Sequence, residues 1–81
     1  MQKIDEKIDV LASFIGGKIT VIRFRWKNTA FIVNKTTGKW TKRDGPYPIY
    51  YFSVCCNKQD VYELSFNSRT LSWKIIALSI E

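Results

Sequence analysis

The chain has 81 residues, with 13 lysines and arginines against 7 aspartates and glutamates, and its net charge is +6. No stretch approaches the roughly 18 apolar residues of a membrane-spanning helix. Histidine, the usual general base and the commonest metal ligand, does not occur in it. These features argue against a membrane protein, a metal site and an enzyme, and they predict one domain over residues 1–81.

The N-terminus is charged and lacks the apolar run of a signal peptide, so we expect a cytoplasmic protein with a mobile segment over residues 1–7. The residues that follow fit two structures. Helical spacing is present at Ile4, Ile8, Leu11 and Ile15, with Gly16 as a C-cap. Strand alternation is present at Ile8, Val10, Ala12 and Phe14, with Gly16-Gly17 as a hairpin turn. Periodicity alone leaves both structures open.

The rest of the chain alternates in the manner of β-strands. Phe24 and Trp26 fall on one face, together with Ile22, while Arg23 and Arg25 fall on the other. Further alternating runs begin near Ile49, Val61 and Leu71, and short turn-forming segments separate them. This pattern predicts an all-β domain of about six antiparallel strands in a meander. We expect a strongly curled sheet or small barrel around Phe24, Trp26, Phe52, Leu64 and Trp73.

Residues 36–48 are the exception to this pattern. The segment is too long for a tight hairpin turn, and Asp44-Gly45-Pro46 and Pro48 interrupt it. We predict a loop here, which carries Lys39, Trp40, Lys42 and Arg43.

The two cysteines, Cys55 and Cys56, are adjacent in the chain. Neighbours in a strand point to opposite faces, so we expect two free thiols, one buried and one facing outward. The pair lacks the C-x-x-C spacing of zinc and redox sites. We expect neither a metal nor another cofactor.

The positive charge is concentrated in one block. Between Lys18 and Arg43 there are eight lysines and arginines and no acidic residue. The remaining charges nearly cancel. Clustered positive charge is typical of proteins that bind a polyanion such as nucleic acid.

The pattern of aromatic residues resembles a family of small bacterial proteins of uncharacterised function. The resemblance covers about residues 8–79. It rests on Ile8-Asp9-Val10, Gly16-Gly17-Lys18, Arg23-Phe24-Arg25-Trp26, Phe31-Ile32-Val33, Trp40, Tyr51-Phe52-Ser53-Val54, Val61-Tyr62-Glu63-Leu64 and Trp73-Lys74-Ile75. The pattern is similar also to the C-terminal segment of some Y-family polymerase-like proteins. It implies that residues 8–15 are a strand paired with residues 19–26, and it suggests a role in a DNA-repair or polymerase assembly. The chain departs from the family at residues 28–30 and 36–38.

Each candidate binding residue has two interpretations. Arg23 and Arg25 would lie on a solvated sheet face or contact phosphates. Trp40 would close the open end of a small barrel, or it would stack on the bases of a single strand beside cations. Tyr47, Tyr50 and Tyr51 would widen such a stacking surface or pack within the sheet.

We predict a non-catalytic binding module that binds nucleic acid, single-stranded or through its backbone, on a basic face. The residues predicted to form that face are Arg23, Arg25, Lys27, Lys35, Lys39, Trp40, Lys42 and Arg43. The alternative is a protein-interaction adaptor, in which an exposed edge strand and the basic block recruit an acidic protein partner. The sequence leaves the oligomeric state open.

Overall fold

A computed structural model describes residues 2–56 and 60–79, and within them the chain is all-β. The seven strands are β1 (Gln2–Ile15), β2 (Lys18–Trp26), β3 (Thr29–Ile32), β4 (Lys35–Asp44), β5 (Tyr47–Cys55), β6 (Val61–Asn67) and β7 (Ser72–Ser79). All pairings are antiparallel, and the spatial order is β3-β2-β1-β7-β6-β5-β4. Each strand except β3 therefore pairs with the next one along the chain, which confirms the predicted antiparallel meander.

Of the two structures that the sequence leaves open for the N-terminal segment, residues 2–15 adopt the strand. β1 pairs with β2 from Asp9–Arg25 to Ile15–Lys18. Gly16 and Gly17, with φ of +58° and +75°, form the two-residue turn between them. The segment expected to be mobile is paired as well, because Gln2 to Lys7 lie along β7. Met1 lies outside the described residues.

The sheet is strongly curved but does not close. Phe31 on β3 and Tyr62 on β6 have ring centroids 5.3 Å apart, although a flat sheet would separate these strands by about 19 Å. β3 and β4 are the two edges of the sheet and are joined by Val33 and Asn34 alone. Within the described residues these two edge strands do not pair with each other.

The concave side of the sheet, which we call the inner face, carries the core. Phe24, Phe52 and Leu64 are buried there as predicted, together with Val54 and Ile75. Trp26 and Trp73 are only half-buried and pack against the margin of that cluster. Cys56 is buried and Cys55 is half-buried, and both thiols are free as expected.

A β-bulge changes the predicted phase of β2. Leu11 pairs with Arg23 and Ala12 pairs with Val21, so Ile22 is an extra residue on β2. Val21 is consequently buried, whereas Ile22, predicted to share the inner face with Phe24, is 43 % exposed. The phase predicted for Arg23, Phe24 and Arg25 is correct, because the bulge precedes them.

The predicted loop at residues 36–48 is wrong. Residues 36–44 belong to strand β4, and residues 47 and 48 begin β5. Gly45-Pro46 forms a two-residue turn between the strands, with φ of +64° at Gly45. Pro48 is tolerated because it lies beyond Ile49–Asn67, the last pair between β5 and β6.

Candidate nucleic-acid interface

The β4–β5 hairpin places its charged side chains on two different faces. In an antiparallel pair, residues directly opposite each other share a face. Phe52 lies in the core, so Lys39, its partner, lies on the inner face. Trp40 pairs with Tyr51 and therefore lies on the opposite, outer face. Strict alternation from these two positions puts Arg43 on the inner face and Lys42 on the outer face.

The outer face of this hairpin carries a stacked aromatic pair. The rings of Trp40 and Tyr51 are stacked, with centroids 5.5 Å apart and an interplanar angle of 6°. Trp40 keeps 38 % of its surface exposed. Gly38 lies beside it, since a Cβ there would be 3.8 Å from Trp40 Cζ3. The cross-strand stack fixes the plane of the indole while part of it stays accessible to solvent.

One cation contacts this aromatic pair, and a second lies further along the same face of β4. Lys42 Nζ is 5.5 Å from the centroid of the Tyr51 ring, within the range of a cation–π contact. Lys35 pairs with Cys55, which alternates with buried Val54 and Cys56, so Lys35 also lies on the outer face. We name the surface formed by Lys35, Trp40, Lys42 and Tyr51 the outer β4 surface.

The inner side of β4 borders an open cleft of about 680 Å³. Its other wall is the β1–β2 hairpin, and its lining includes Phe14, Ile19, Lys39, Tyr50 and Phe66. Lys39 spans the opening, because its Nζ donates a hydrogen bond of 3.3 Å to the carbonyl oxygen of Ile19 on β2. We name this feature the β2–β4 cleft.

The arginines of β2 lie in a different setting. Arg23 pairs with Leu11 and Ile32, and all three are exposed on the outer face of β1–β3. Arg25 Nη2 donates to Asp9 Oδ2 at 2.7 Å, so an acid from outside the basic block offsets its charge. Both partners are mostly solvent-exposed, which makes the pair worth under about 1 kcal/mol.

Lys27 lies in neither of the two basic strands, β2 and β4. It lies in the turn between β2 and β3, with φ of +52°. Its Nζ is 4.8 Å from the centroid of the Trp26 ring. Trp26 in turn donates from Nε1 to Glu6 Oε1 at 3.0 Å. Lys27 thus lies beside the ring of Trp26, which is bonded to Glu6, at the C-terminal end of β2.

The eight predicted binding residues are therefore divided among three surfaces. The outer β4 surface has Lys35, Trp40 and Lys42; the inner side of β4 has Lys39 and Arg43; and β2 with its following turn has Arg23, Arg25 and Lys27. The sequence reasoning missed Phe14 and Phe66 as lining of the cleft. The Gly16-Gly17 turn was the available signal, because it sets Phe14 opposite Ile19.

The core contains two groups with shifted ionisation. Burial, reinforced by Cys55 and Asp60, raises the pKa of the Cys56 thiol to about 11. Burial also raises the pKa of Tyr62, again with help from Asp60. Both side chains are therefore neutral at physiological pH. Residues 2–56 and 60–79 contain no cluster of three or more side chains suited to a metal ion.

No helix in the described part of the chain is long and apolar enough to cross a membrane. No family model matches the chain, and neither a curated protein nor a solved structure matches it closely enough to establish a relationship.

Proposed function

We propose that this protein is a non-catalytic module that binds single-stranded nucleic acid on the outer β4 surface. The observation that carries the proposal is the parallel Trp40–Tyr51 stack with Lys42 beside it. Aromatic platforms next to cations are the means by which many proteins hold single strands without reading their sequence. A duplex keeps its bases inside the helix and offers no such face to Trp40.

The two lysines of the outer β4 surface supply the phosphate contacts in this proposal. Lys35 and Lys42 lie on either side of Trp40 along one strand, on the same face. A backbone that follows β4 would pass both cations while a base covers the exposed part of the indole. Tyr51 supports the indole from the neighbouring strand and limits the conformational entropy lost on binding.

Charge placement favours β4 over β2 as the interface. Arg25 is bonded to Asp9, and Lys27 lies close to Trp26 and its Glu6 partner. The two ion pairs found among the described residues, Arg25–Asp9 and Lys74–Asp5, do not involve β4. An anion arriving at Lys35 or Lys42 therefore does not have to displace a side-chain carboxylate observed there.

The proposal is tested by measuring binding of a labelled oligothymidylate at low salt, using fluorescence anisotropy. We expect a dissociation constant in the range of about 1–100 μM, and weaker binding of a duplex of equal length. Quenching of Trp40 fluorescence would accompany single-strand binding. Equal affinity for both forms with no change in Trp40 emission would reject the stacking interface, and no binding at all would reject the function.

A further inference from the structure

The two strands that border the β2–β4 cleft each have an unpaired edge. β3 pairs with Arg23 to Trp26 of β2, and Val33 N donates to the Ile22 carbonyl oxygen at 3.0 Å, so within the described residues only Lys18 to Val21 lack a neighbouring strand on that side. β4 is the last strand of the sheet, so within the described residues no strand pairs with the edge of β4 that lies opposite β5. Unpaired strand edges present backbone donors and acceptors that a further strand can use.

The pattern of antiparallel pairing identifies the free backbone groups. Ile15 and Lys18 flank the two-residue turn between β1 and β2. Asp44 and Tyr47 flank the two-residue turn between β4 and β5. These closing pairs exchange hydrogen bonds, and every second pair then turns its backbone groups away from the partner. The groups that face the cleft belong to Ile19 and Val21 on β2, and to Lys39, Thr41 and Arg43 on β4.

Lys39 shows that the Ile19 carbonyl on β2 has no strand partner, and it sets an upper limit on the width of the gap. Its ammonium group donates to the Ile19 carbonyl oxygen at 3.3 Å, where a neighbouring strand would supply an amide. A lysine side chain spans about 6 Å, so the Lys39 Cα lies at most about 9–10 Å from that oxygen. Two strand spacings measure about 9.6 Å. The gap at this point is therefore no wider than one missing strand.

The side chains beside the free edge of β4 define the chemistry of an added strand. Lys39, Thr41 and Arg43 alternate along the inner face, and Lys18 lies on the opposite rim. Behind Thr41 the floor is apolar, formed by Tyr50 and Phe66, whose ring centroids are 6.3 Å apart. Along the inner face of β4, the basic side chains of Lys39 and Arg43 therefore lie on either side of the neutral Thr41.

We propose that the β2–β4 cleft binds an extended acidic peptide by strand addition to the free edge of β4. The peptide carries acidic side chains at positions i and i+4, opposite Arg43 and Lys39, and an apolar side chain at i+2, opposite Thr41 and above Tyr50 and Phe66. Residues i, i+2 and i+4 of a strand share one face, so a single extended segment makes all three contacts. Its backbone amides compete with Lys39 for the Ile19 carbonyl.

The proposal uses the inner side chains of β4 and not those of the outer β4 surface. Lys39, Thr41 and Arg43 lie on the inner face and Trp40 and Lys42 on the outer face, although Trp40 and Tyr51 also border the cleft. The proposal therefore goes beyond nucleic-acid binding and does not depend on it. It assigns the chain a second partner, a protein with an exposed acidic segment.

The experiment is a titration of the isotope-labelled protein with a blocked peptide that has glutamate at i and i+4 and valine at i+2, monitored by amide NMR shifts. The control peptide has the same composition with its glutamates at i and i+3, which places them on opposite faces of the strand. We expect the first peptide to shift the amides of Ile19, Val21, Thr41 and Arg43, and to bind at least about tenfold more tightly than the control.

Two variants test the backbone contact itself. Thr41→Pro removes an amide that faces the cleft and breaks no pairing with β5, whereas Thr41→Ala keeps the amide. We expect Thr41→Pro to lower peptide affinity at least about tenfold and Thr41→Ala to change it less than about twofold. If Thr41→Pro does not fold, Lys39→Ala/Arg43→Ala replaces it, with an expected loss of about tenfold.

Four results would overturn the proposal. They are no peptide-induced shifts up to the solubility limit, equal affinity for the control peptide, equal affinity of the two Thr41 variants, and concentration-dependent dimerisation of the free protein through these same amides. Dimerisation would show that a second copy occupies the edge. Shifts of the cleft amides by an oligonucleotide instead of the peptide would assign the cleft to nucleic acid.

Discussion

Strands β2 and β4 are the two basic strands of this protein, and both combine cations with aromatic residues. They differ in their place in the sheet. β2 is flanked by β1 along its length and by β3 along half of it, and its Arg25 is engaged by Asp9. β4 is an edge strand, and its Trp40 lies on Tyr51 with Lys42 nearby. Two strands with a comparable excess of basic residues thus have different surroundings.

The difference shows that the charge of a segment does not by itself define a binding surface. The acid-free block appeared uniform because Asp9 lies outside it in sequence, yet the β1–β2 hairpin brings Asp9 to Arg25. On β4 the strand alternation divides the cations between two faces. The outer face carries the stacked pair Trp40 and Tyr51. The inner face borders the β2–β4 cleft, whose floor is apolar.

The largest expected effect comes from charge reversal on β4. Lys35→Glu/Lys42→Glu should weaken oligothymidylate binding at low salt about 100-fold, roughly tenfold for each lost phosphate contact. The matched variant Arg23→Glu/Arg25→Glu carries the same change in net charge, and we expect a loss below about fivefold. Anisotropy titrations of both variants measure the difference. Equal losses would mean that only net charge matters.

The second effect concerns stacking. Trp40→Ala should lower single-strand affinity about tenfold or more, because stacking on an aromatic side chain contributes roughly 1–3 kcal/mol per base. Trp40→Phe preserves a stacking face and should recover most of the loss. Circular dichroism confirms that both variants are folded. An alanine variant that binds as tightly as wild type would remove Trp40 from the interface.

The third effect compares Gly17, in the turn before β2, with Gly38, which lies inside β4. Gly17→Ala should lower the free energy of unfolding by about 1 kcal/mol, because φ of +75° at the turn before β2 is strained for alanine. Gly38→Ala on β4 meets Ser53 Cβ at 3.6 Å, an ordinary contact. It should be neutral or stabilising by up to about 1 kcal/mol. Urea denaturation measures both, and the reverse order would contradict the backbone described for these strands.

The smallest effect tests whether β2 is held out of the interface by its ion pair. Asp9→Ala releases Arg25 and raises the net charge by one. We expect single-strand affinity to rise less than about twofold, and stability to fall by under about 1 kcal/mol, as is usual for exposed pairs. A gain of tenfold in affinity would show that a freed β2 binds nucleic acid as well as β4 does.

Much of the sheet was predictable because its strands have one buried and one exposed face. Phe24, Phe52 and Leu64 follow the two-residue period and are buried where that period places them. The turn at Gly16-Gly17 was also predictable, because two adjacent glycines suit the positive φ of a tight hairpin. β2, β5, β6 and β7 correspond to segments with the two-residue period, and β1 corresponds to one of the two structures that its sequence fits.

β4 escaped prediction for a physical reason. As an edge strand it borders an open cleft on its inner side and solvent on its outer side, so it lacks the apolar alternation on which strand prediction depends. The Ile22 bulge escaped as well, since an extra residue in β2 depends on its pairing with β1. The division of the cations between surfaces required the register of β4 against β5.

The salt dependence of oligothymidylate binding tests the central claim most directly. With two phosphate contacts on the outer β4 surface, from Lys35 and Lys42, the logarithm of the association constant should fall against the logarithm of salt concentration with a slope of about −1.4. Lys35→Glu/Lys42→Glu should bring that slope close to zero, while Arg23→Glu/Arg25→Glu should leave it unchanged. A slope that β4 reversal leaves intact, or that β2 reversal abolishes, would contradict the assignment of the interface to β4.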